Sequence, residues 1–215
     1  MYFQVTPTVA LASTWQPCWP RTGRRLIRLR QSGTFPLGHP STRLSLTLLA
    51  TVCRERQFSS LLDVGCGSGI LALAGALLGI PRVVGCDLSP TAVQVSRENA
   101  RRAAVEPRIH WLQGSTEALA GQFQLIVANL PLAVQAAKQQ EFARLLAPGG
   151  SLILSGFKDS GEAAVTDFYL SRDWRRHRRL TQERWEMELP ADRSYTWVGL
   201  HLGAAAHGDE EDRPS

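Results

Sequence analysis

Three glycines and two carboxylates have the spacing of a ligand-binding turn. Gly65, Gly67 and Gly69 alternate with other residues shortly after Asp63, and Asp87 ends the next apolar run. Glycine has no Cβ, so such a turn can take positive φ and lets a ligand approach the backbone closely. A carboxylate at the end of the next strand could accept both hydroxyls of a ribose. The pattern predicts a cradle for a nucleotide-like ligand; the alternative is an ordinary tight turn between a strand and a helix.

The segments around the turn are predicted to form a βαβ unit. The run from Leu61 to Val64 is short, apolar and β-branched at its end, which favours a buried strand. Ser68 is placed to cap a helix from Ile70 to Leu78, whose first N–H groups would point into the turn. The stretch from Arg82 to Asp87 is predicted to be the second strand. These elements have the order and spacing that a mononucleotide-binding unit requires.

Two cofactors would suit such a unit. Dinucleotide folds use G-x-G-x-x-G, in which the third glycine lets the helix pack closely under a pyrophosphate. Here Ile70 occupies that third position, and a carboxylate stands just before the turn. The sequence thereby resembles motif I of the class I S-adenosylmethionine (SAM) methyltransferases, a carboxylate followed by G-x-G-x-G. The resemblance implies SAM as cofactor, with candidate binding residues Asp63, Gly65, Cys66, Gly67, Gly69, Asp87, Leu88, Ser115 and Asn129.

These candidates are expected to contact different parts of the cofactor. The three glycines would hold the methionine part, and Asp63 would orient either the turn or the amino group. Asp87 would take the ribose hydroxyls, and Ser115 would lie beside the adenine, because both follow the ends of neighbouring predicted strands.

The rest of the chain predicts alternating helices and strands around this unit. Ser41 or Thr42 is placed to cap a preceding helix that ends near Gln57, and Ser89 to cap a following helix that ends near Ala103. Further elements are predicted at residues 109–113, 123–128, 133–146, 151–155 and 158–170, with a hairpin formed by 178–189 and 195–202 around 190–194. The expected fold is α/β: a Rossmann-like class I methyltransferase fold with a mostly parallel seven-stranded sheet, helices on both faces and a C-terminal antiparallel hairpin.

Composition divides the chain into three parts. The 215 residues are 44% hydrophobic, enough for one α/β domain with a full core. We expect an extended N-terminal segment at 1–34, in which Trp15 and Trp19 cover apolar surface, a SAM-dependent methyltransferase domain at 35–202, and a disordered acidic tail at 203–215. The formal charge of +5 becomes +8 without the tail, whose acidic part contributes −3. A basic body suits an anionic partner such as RNA, and a solvated basic face explains it equally.

The cysteines and apolar runs bear on metal binding and location. Cys18, Cys53, Cys66 and Cys86 form no C-x-x-C pair and have no histidine partners at ligand spacing, so neither a metal site nor a disulfide framework is expected. The N-terminus lacks the basic and apolar regions of a secretory signal, and no apolar run is long enough for a membrane span. We expect a cytoplasmic protein with reduced thiols and no membrane contact.

A narrower resemblance extends over most of the chain. Between about Leu26 and Leu202 the sequence resembles the PrmA-type ribosomal protein methyltransferases in the order and spacing of Gly38-His39-Pro40-Ser41-Thr42, residues 62–72, 84–87, Glu98-Asn99-Ala100, Val127-Ala128-Asn129 and residues 146–150. The resemblance implies transfer of methyl groups from SAM to amino nitrogens of a large-subunit ribosomal protein. Two features depart from the family. Only a short segment replaces its N-terminal substrate-docking domain, and Phe35-Pro36-Leu37 replaces most of a glycine-rich loop.

Other functions remain as alternatives. A small-molecule or RNA methyltransferase would carry the same glycine turn, and so would a non-catalytic SAM-binding module. A nicotinamide-dependent oxidoreductase is disfavoured by Ile70 and by the lack of a recognisable catalytic dyad.

Asn129 and His39 are the candidate catalytic residues. The run Asn129-Leu130-Pro131-Leu132 resembles the Asn-Pro-Pro-Tyr-like motif of methyltransferases that act on planar amides and exocyclic amines. Leu132 stands where that motif has an aromatic residue, which disfavours a flat base and leaves an aliphatic amine as acceptor. Two simpler interpretations stay open: Asn129 only caps the next helix, and His39 is a loop residue before a proline rather than a neighbour of the methyl donor.

The basic run at residues 172–179 is the remaining candidate interaction surface. Arginines interleaved with Trp174 are typical of RNA-contacting segments, which predicts a contact with ribosomal RNA or an acidic protein. The alternative is a solvated helix end and edge strand, where charges also prevent edge-to-edge pairing.

Overall fold

The computed structural model describes residues 2–14, 25–31, 35–184 and 194–204, which form ten strands and six α-helices. The strands are β1 (Tyr2–Gln4), β2 (Val9–Ser13), β3 (Arg25–Leu29), β4 (Ser60–Val64), β5 (Arg82–Asp87), β6 (Ile109–Gln113), β7 (Phe123–Asn129), β8 (Leu146–Lys158), β9 (Arg175–Glu183) and β10 (Thr196–Gly203). The helices are α1 (Pro40–Glu55), α2 (Ile70–Leu77), α3 (Pro90–Ala103), α4 (Leu132–Ala137), α5 (Gln139–Leu145) and α6 (Glu162–Leu170).

The central sheet has seven strands in the order β6-β5-β4-β7-β8-β10-β9. The strands from β6 to β8 pair in parallel, whereas β10 is antiparallel to both β8 and β9. The predicted fold class is therefore confirmed, including the C-terminal antiparallel hairpin. Its first strand begins at Arg175, earlier than predicted. Residues 185–193, which include the end of that predicted strand and most of the predicted connection at 190–194, lie outside the described part of the chain.

Helices cover both faces of this sheet. Successive residues of a strand point to opposite faces. Accordingly, Leu61 belongs to one core cluster, together with residues of α1, α2 and α3, and Leu62 belongs to a second cluster with residues of α5 and α6. The alternation on one central strand thus fixes which helices lie on which side.

The predicted N-terminal segment forms a small sheet of its own, in the order β1-β2-β3. Leu11 and Leu29 are fully buried in the first core cluster, so this sheet packs on the main domain. Asn99 of α3 fixes the attachment, because its amide accepts from the Arg30 backbone N–H and donates to the Arg30 carbonyl at 2.9 Å each. Trp15 and Trp19 lie outside the described residues, as do residues 205–215 of the predicted tail.

Helix α1 packs on one face of the sheet, over β7, β8, β9 and β10, and runs from one end of the strands to the other. Its 16 residues span about 24 Å. Leu44, Leu48 and Val52 form the predicted buried stripe. The helix begins beside the carboxyl ends of the parallel strands. It ends near the start of β8, where the Arg56 guanidinium donates to the Gly149 carbonyl at 2.7 Å.

Two helix caps differ from the prediction. His39, rather than Ser41 or Thr42, is the N-cap of α1, because a residue before a proline is held in an extended conformation and its ring nitrogen Nδ1 accepts from the Ser41 N–H at 3.3 Å. Gly69, rather than Ser68, is the N-cap of α2, with a positive φ of 77° and no side-chain cap.

The region predicted as one helix and a short strand is also built differently. The helix expected at 133–146 is divided at Lys138 into α4 and α5, and the Lys138 ammonium reaches sideways to Ser115 and Glu117. Strand β8 begins at Leu146 instead of Ser151. The Pro-Gly-Gly sequence does not end a helix here, because Gly149 takes a positive φ of 64° and the ladder with β7 absorbs the irregularity as a register shift.

Candidate functional site

A cavity of about 470 Å³ opens at the carboxyl ends of β4, β5 and β7. Its size is typical of small-molecule sites. Seven of the predicted cofactor-binding residues line it, namely Asp63, Gly65, Cys66, Gly67, Asp87, Leu88 and Asn129. Two others, Gly69 and Ser115, are not part of its lining. Its wall also includes the apolar residues Phe35, Leu130, Pro131 and Val134, which were not among the predicted site residues.

The glycine turn has two distinct functions. Gly65 faces the cavity, and the N–H groups of Gly65 and Cys66 both donate to the Cys86 carbonyl, which anchors the turn to β5. Gly69 instead faces the protein interior. A Cβ there would lie 2.8 Å from the ring of Trp111, at a φ of 77° that disfavours any side chain. Gly69 therefore has a packing role, and its contact with the cofactor stays a prediction.

Asp87 fixes the turn as well as lining the cavity. Its Oδ2 accepts from the Gly67 N–H at 2.8 Å, and its Oδ1 accepts from the Ser89 N–H at 2.9 Å. Each carboxylate oxygen can accept more than one hydrogen bond, so both retain capacity for a ligand hydroxyl. The contact from Asp87 to Gly67 was not anticipated, because it joins two parts of the motif that were interpreted separately.

Asp63 is a buried carboxyl at the end of β4. Only 1% of the residue is exposed, and its Oδ2 accepts from the Ala72 N–H of α2 at 2.9 Å. Burial raises the pKa of Asp63 to about 7; the Ala72 hydrogen bond opposes that rise, and the nearby charge of Asp87 adds to it. The carboxyl therefore changes charge near neutral pH at the wall of the cavity.

Asn129 presents an unsatisfied carbonyl oxygen. Its Nδ2 donates to the Thr42 hydroxyl at 3.1 Å, and that hydroxyl donates in turn to the Phe35 carbonyl at 3.1 Å. These bonds fix the orientation of the amide. Its Oδ1 is buried and has no hydrogen-bond partner within the described part of the chain. Asn129 is not a helix cap, because the N-cap of α4 is Pro131 and has no side-chain cap.

His39 and Ser115 lie beside the cavity rather than in its wall. The ring of His39 is nearly buried between Phe35 and Trp197, at centroid distances of 4.7 and 4.5 Å. The structure thus places His39 at the start of α1, behind Phe35, and the expected exposure to the methyl donor is not observed. The hydroxyl of Ser115 accepts from the Lys138 ammonium at 2.8 Å, and its place beside the adenine stays a prediction.

The loop after β7 is held between two glycines. A Cβ on Gly65 would lie 2.3 Å from the Leu130 side chain, and a Cβ on Gly156 would lie 2.3 Å from the Leu130 carbonyl oxygen. Close packing of this kind leaves the loop little freedom to move. Asn129 and the apolar wall that follows it are therefore rigidly placed.

The basic run lies largely on the edge strand β9. Arg176 and Arg179 both pair with Glu162, at 2.9 and 2.8 Å, and Arg178 pairs with Glu55 at 2.7 Å. These contacts fit the charged edge strand that the alternative interpretation described.

Within the described part of the chain, the cysteine thiols form neither a disulfide nor a metal site. Cys53, Cys66 and Cys86 are free, and burial raises the pKa of Cys53 and of Cys86 to about 12; Cys18 lies outside the described residues. Among the residues that the structure describes, no three His, Cys, Asp or Glu side chains are grouped to hold a metal ion. No described helix is long and apolar enough to cross a membrane.

Curated relatives match about three quarters of this chain. A ribosomal protein L11 methyltransferase of Sorangium cellulosum is 40% identical over 160 residues, which are 74% of this chain and 50% of the relative. One of Syntrophotalea carbinolica is 38% identical over 166 residues, 76% of this chain and 54% of the relative. The chain therefore spans about half the length of the curated relatives it matches.

Solved structures agree on the fold. A ribosomal protein L11 methylase from Lactobacillus delbrueckii subsp. bulgaricus has a TM-score of 0.75 and 23% identity, with 95% of this chain and 97% of that chain covered. A putative RNA methyltransferase from Pyrococcus horikoshii has a TM-score of 0.66 and 14% identity, with 82% and 93% covered. The sequence matches the family of ribosomal protein L11 methyltransferases (PrmA) over residues 3–189. Together with the relatives above, this match shows that the chain belongs to the PrmA family.

Proposed function

We propose that this chain is a SAM-dependent N-methyltransferase that acts on amino groups of ribosomal protein L11. The observation that carries the proposal is the unpaired Oδ1 of Asn129. A buried acceptor without a hydrogen-bond partner destabilises the protein unless a ligand donates to it. This oxygen belongs to a residue in the wall of the same cavity as the glycine turn and Asp87. One cavity therefore combines the features expected for cofactor and acceptor binding.

The residues present fit SAM. Asp87 is placed to accept from the ribose hydroxyls. Burial raises the pKa of Asp63, and the cationic amino group of SAM beside this carboxyl would favour its charged form again. Leu88 is 73% exposed beside Asp87, and covering its side chain with the adenine would remove apolar surface from water. Bound SAM would supply a methyl group on a sulfonium centre.

The chain's own contribution to transfer is to position and desolvate the amine. Asn129 Oδ1 would accept one N–H of the amine and orient the nitrogen lone pair. Thr42 holds that amide in place, and Leu130, Pro131 and Val134 give the cavity an apolar wall. An apolar wall also favours the neutral amine over the ammonium, and the neutral form is the nucleophile. His39 acts here as a positioning residue, since it caps the helix that carries Thr42.

The substrate assignment rests on two observations. Leu132 has no ring to stack on a flat base, so the site suits an aliphatic amine. The curated relatives carry the name ribosomal protein L11 methyltransferase, although the chain spans only about half of their length. A newly made ribosomal protein would be met in the cytoplasm, which is where we place the activity.

The test is a titration of the purified chain with SAM by calorimetry, followed by transfer of labelled methyl groups in the same preparation. Ribosomal protein L11, ribosomal RNA and a small-molecule pool are offered in parallel, and we expect label in L11 alone. Label in RNA or in the small-molecule pool would overturn the substrate. Binding of SAM without label in any fraction would overturn the activity and favour a non-catalytic module.

Contact of residues 172–179 with ribosomal RNA stays a separate prediction. Reversal of Arg175 and Arg176 to Glu should reduce recovery of ribosomal particles in a pull-down if this run docks them. Unchanged recovery would reject the contact and leave the edge-strand role.

A further inference from the structure

A second cavity, of about 350 Å³, lies at the other end of the sheet, near the amino ends of the parallel strands. The end of α1 and the strands β8, β9 and β10 surround it, and its lining is Val52, Glu55, Arg56, Phe58, Ser151, His177, Arg178 and His201. The length of α1, about 24 Å, separates it from the cofactor cavity. Neither the family resemblance nor the proposed methyl transfer uses these residues.

His201 is a buried imidazole with half of its hydrogen bonds unmade. Only 7% of the residue is exposed, and its Nε2 lies 3.0 Å from the Ser151 hydroxyl. Its Nδ1 is buried and has no partner among the residues that the structure describes. A buried polar atom in this state is rare in folded proteins and is commonly completed by a ligand or an ordered water.

The groups around His201 are predominantly cationic. The ring of His177 lies 4.9 Å from that of His201. The Arg178 guanidinium is held by Glu55 at 2.7 Å, and the Arg56 guanidinium is held by the Gly149 carbonyl at 2.7 Å. One bond each leaves several N–H donors of both guanidiniums available.

The balance of charge in this cavity favours an anion. Burial, together with smaller electrostatic contributions from His177, Arg178 and Arg56, lowers the pKa of His201 to about 4. Glu55 is the one carboxylate in the lining, and two guanidiniums outweigh it. The carbonyl end of α1 adds a smaller negative contribution that falls off within a turn.

We propose that this second cavity binds a phosphate group, held by Arg56 and Arg178 with the Nδ1–H of His201 as a buried donor. The planar guanidinium of arginine presents paired N–H donors. These donors match the several oxygens of a phosphate group better than they match a ligand with one acceptor atom. The phosphate would be either a free or terminal phosphate, as on a mononucleotide, or a phosphodiester of an RNA backbone. Both share the chemistry that the cavity offers, and the experiment separates them.

The experiment follows the histidine ring signals of the full chain by NMR, without SAM, at constant ionic strength. One titration uses inorganic phosphate, and the other a short single-stranded RNA without terminal phosphate. We expect the signals of His177 and His201 to shift and to saturate with at least one of the two. A response to phosphate alone assigns a free or terminal phosphate, and a response to RNA alone assigns a backbone phosphate. No saturable shift with either ligand overturns the proposal.

Two variants and a matched control test the residues. Arg178→Gln and Arg56→Gln should each weaken binding by about tenfold, because each removes a charged hydrogen-bond donor. Arg172→Gln is the control, since Arg172 belongs to the same basic run but stacks on Phe168 at 3.9 Å, outside the cavity. Equal weakening by the control would show a general charge effect and overturn the site. Because SAM and methyl transfer are not measured, this result is independent of the proposed function.

Discussion

Each end of the parallel strands has a buried side chain whose pKa is shifted by burial, Asp63 at one end and His201 at the other, and the two shifts run in opposite directions. At the carboxyl end the pKa of Asp63 rises to about 7, and at the other end the pKa of His201 falls to about 4. The cause is the same, since burial disfavours whichever form is charged. Asp63 loses its neutral form as the pH rises towards 7, whereas His201 stays neutral throughout that range. The contributions of the two side chains to stability therefore depend on pH with opposite sign: that of Asp63 is lost as the pH rises, and that of His201 is lost as the pH falls.

The two ends also differ in how their polar groups are held. In the cofactor cavity the backbone does most of this work, because the carboxylates of Asp63 and Asp87 accept from main-chain N–H groups. In the second cavity side chains hold one another, as Glu55 holds Arg178 and Ser151 meets His201. We therefore expect substitutions in the glycine turn to impair ligand binding strongly. Single side-chain substitutions in the second cavity should each weaken binding to a smaller extent.

The largest effect should come from Asn129→Ala. Without the amide oxygen the amine loses its positioning contact, and kcat for methyl transfer should fall about 100-fold. SAM affinity should change much less, because the glycine turn and Asp87 remain. Single-turnover transfer to L11 and calorimetry measure the two quantities. Glu106→Ala, which removes a surface ion pair with Arg101, is the control and should transfer at the wild-type rate. If Asn129→Ala lowered SAM affinity as strongly as it lowered kcat, Asn129 would be assigned to the cofactor instead.

Gly69→Ala should be the most damaging change to stability. The new Cβ would lie 2.8 Å from the Trp111 ring at a positive φ, so strain and collision add, at a cost of roughly 2–4 kcal/mol in the free energy of unfolding. Gly79→Ala is a matched control: its φ is also positive, at 98°, but no atom lies within 4 Å of its Cβ. Urea unfolding of both variants isolates the collision, and equal losses would show that backbone strain alone matters.

Asp87→Ala should raise the dissociation constant of SAM by about tenfold or more, because a charged acceptor for the ribose is lost. The turn also loses its bond from the Gly67 N–H, so part of the effect comes from a loosened backbone. Calorimetric titration measures the constant, with the exposed Glu106→Ala as the control. Unchanged affinity would remove Asp87 from the cofactor site.

The effect that builds up most gradually is a change in the pH dependence of stability in Asp63→Asn. The folded-state pKa of Asp63 lies above its ordinary value of 3.8, so its stabilising contribution is present below about pH 4 and is lost as the pH rises to about 7. The stability of the wild type relative to the variant should therefore fall across that window, by at most about 1.4 kcal/mol per pH unit. Urea unfolding at several pH values measures it, and a flat difference would contradict the raised pKa.

His201 provides the opposite slope in the same measurement. Its folded-state pKa lies below the ordinary 6.5, so its contribution is lost as the pH falls from about 6.5 to about 4. This contribution is present in both proteins and cancels in their difference. Comparing absolute stabilities without the variant would hide one group behind the other.

The sequence predicts the local elements better than the contacts between them. Strands β5 and β6 have the predicted bounds, and Ser89 caps α3 as expected, because capping, proline placement and apolar runs are local signals. The division of the helix at Lys138 has no local signal, and the Lys138 side chain at this point contacts Ser115 and Glu117 on a distant segment.

The same limit applies to the sites. A contiguous motif pointed to the glycine turn, yet the contact of Asn129 with Thr42 joins residues far apart in the chain, and no periodicity encodes it. Gly69 was expected to serve the ligand because it completes the motif, but its neighbour Trp111 comes from another strand. The second cavity has no sequence signature, because Glu55, Ser151 and His201 come from three separate elements.

The position of β10 has a consequence for how the chain is made. It follows every other described strand in sequence, yet in the sheet it lies between β8 and β9. A growing polypeptide that has emerged only as far as Glu183 therefore leaves the long apolar β8 with an open edge until β10 arrives. The arginines that begin β9 disfavour its premature pairing with β8, since charged strands resist edge-to-edge association. We therefore expect these arginines, three of which form ion pairs in the finished molecule, to disfavour incorrect strand pairing during synthesis as well.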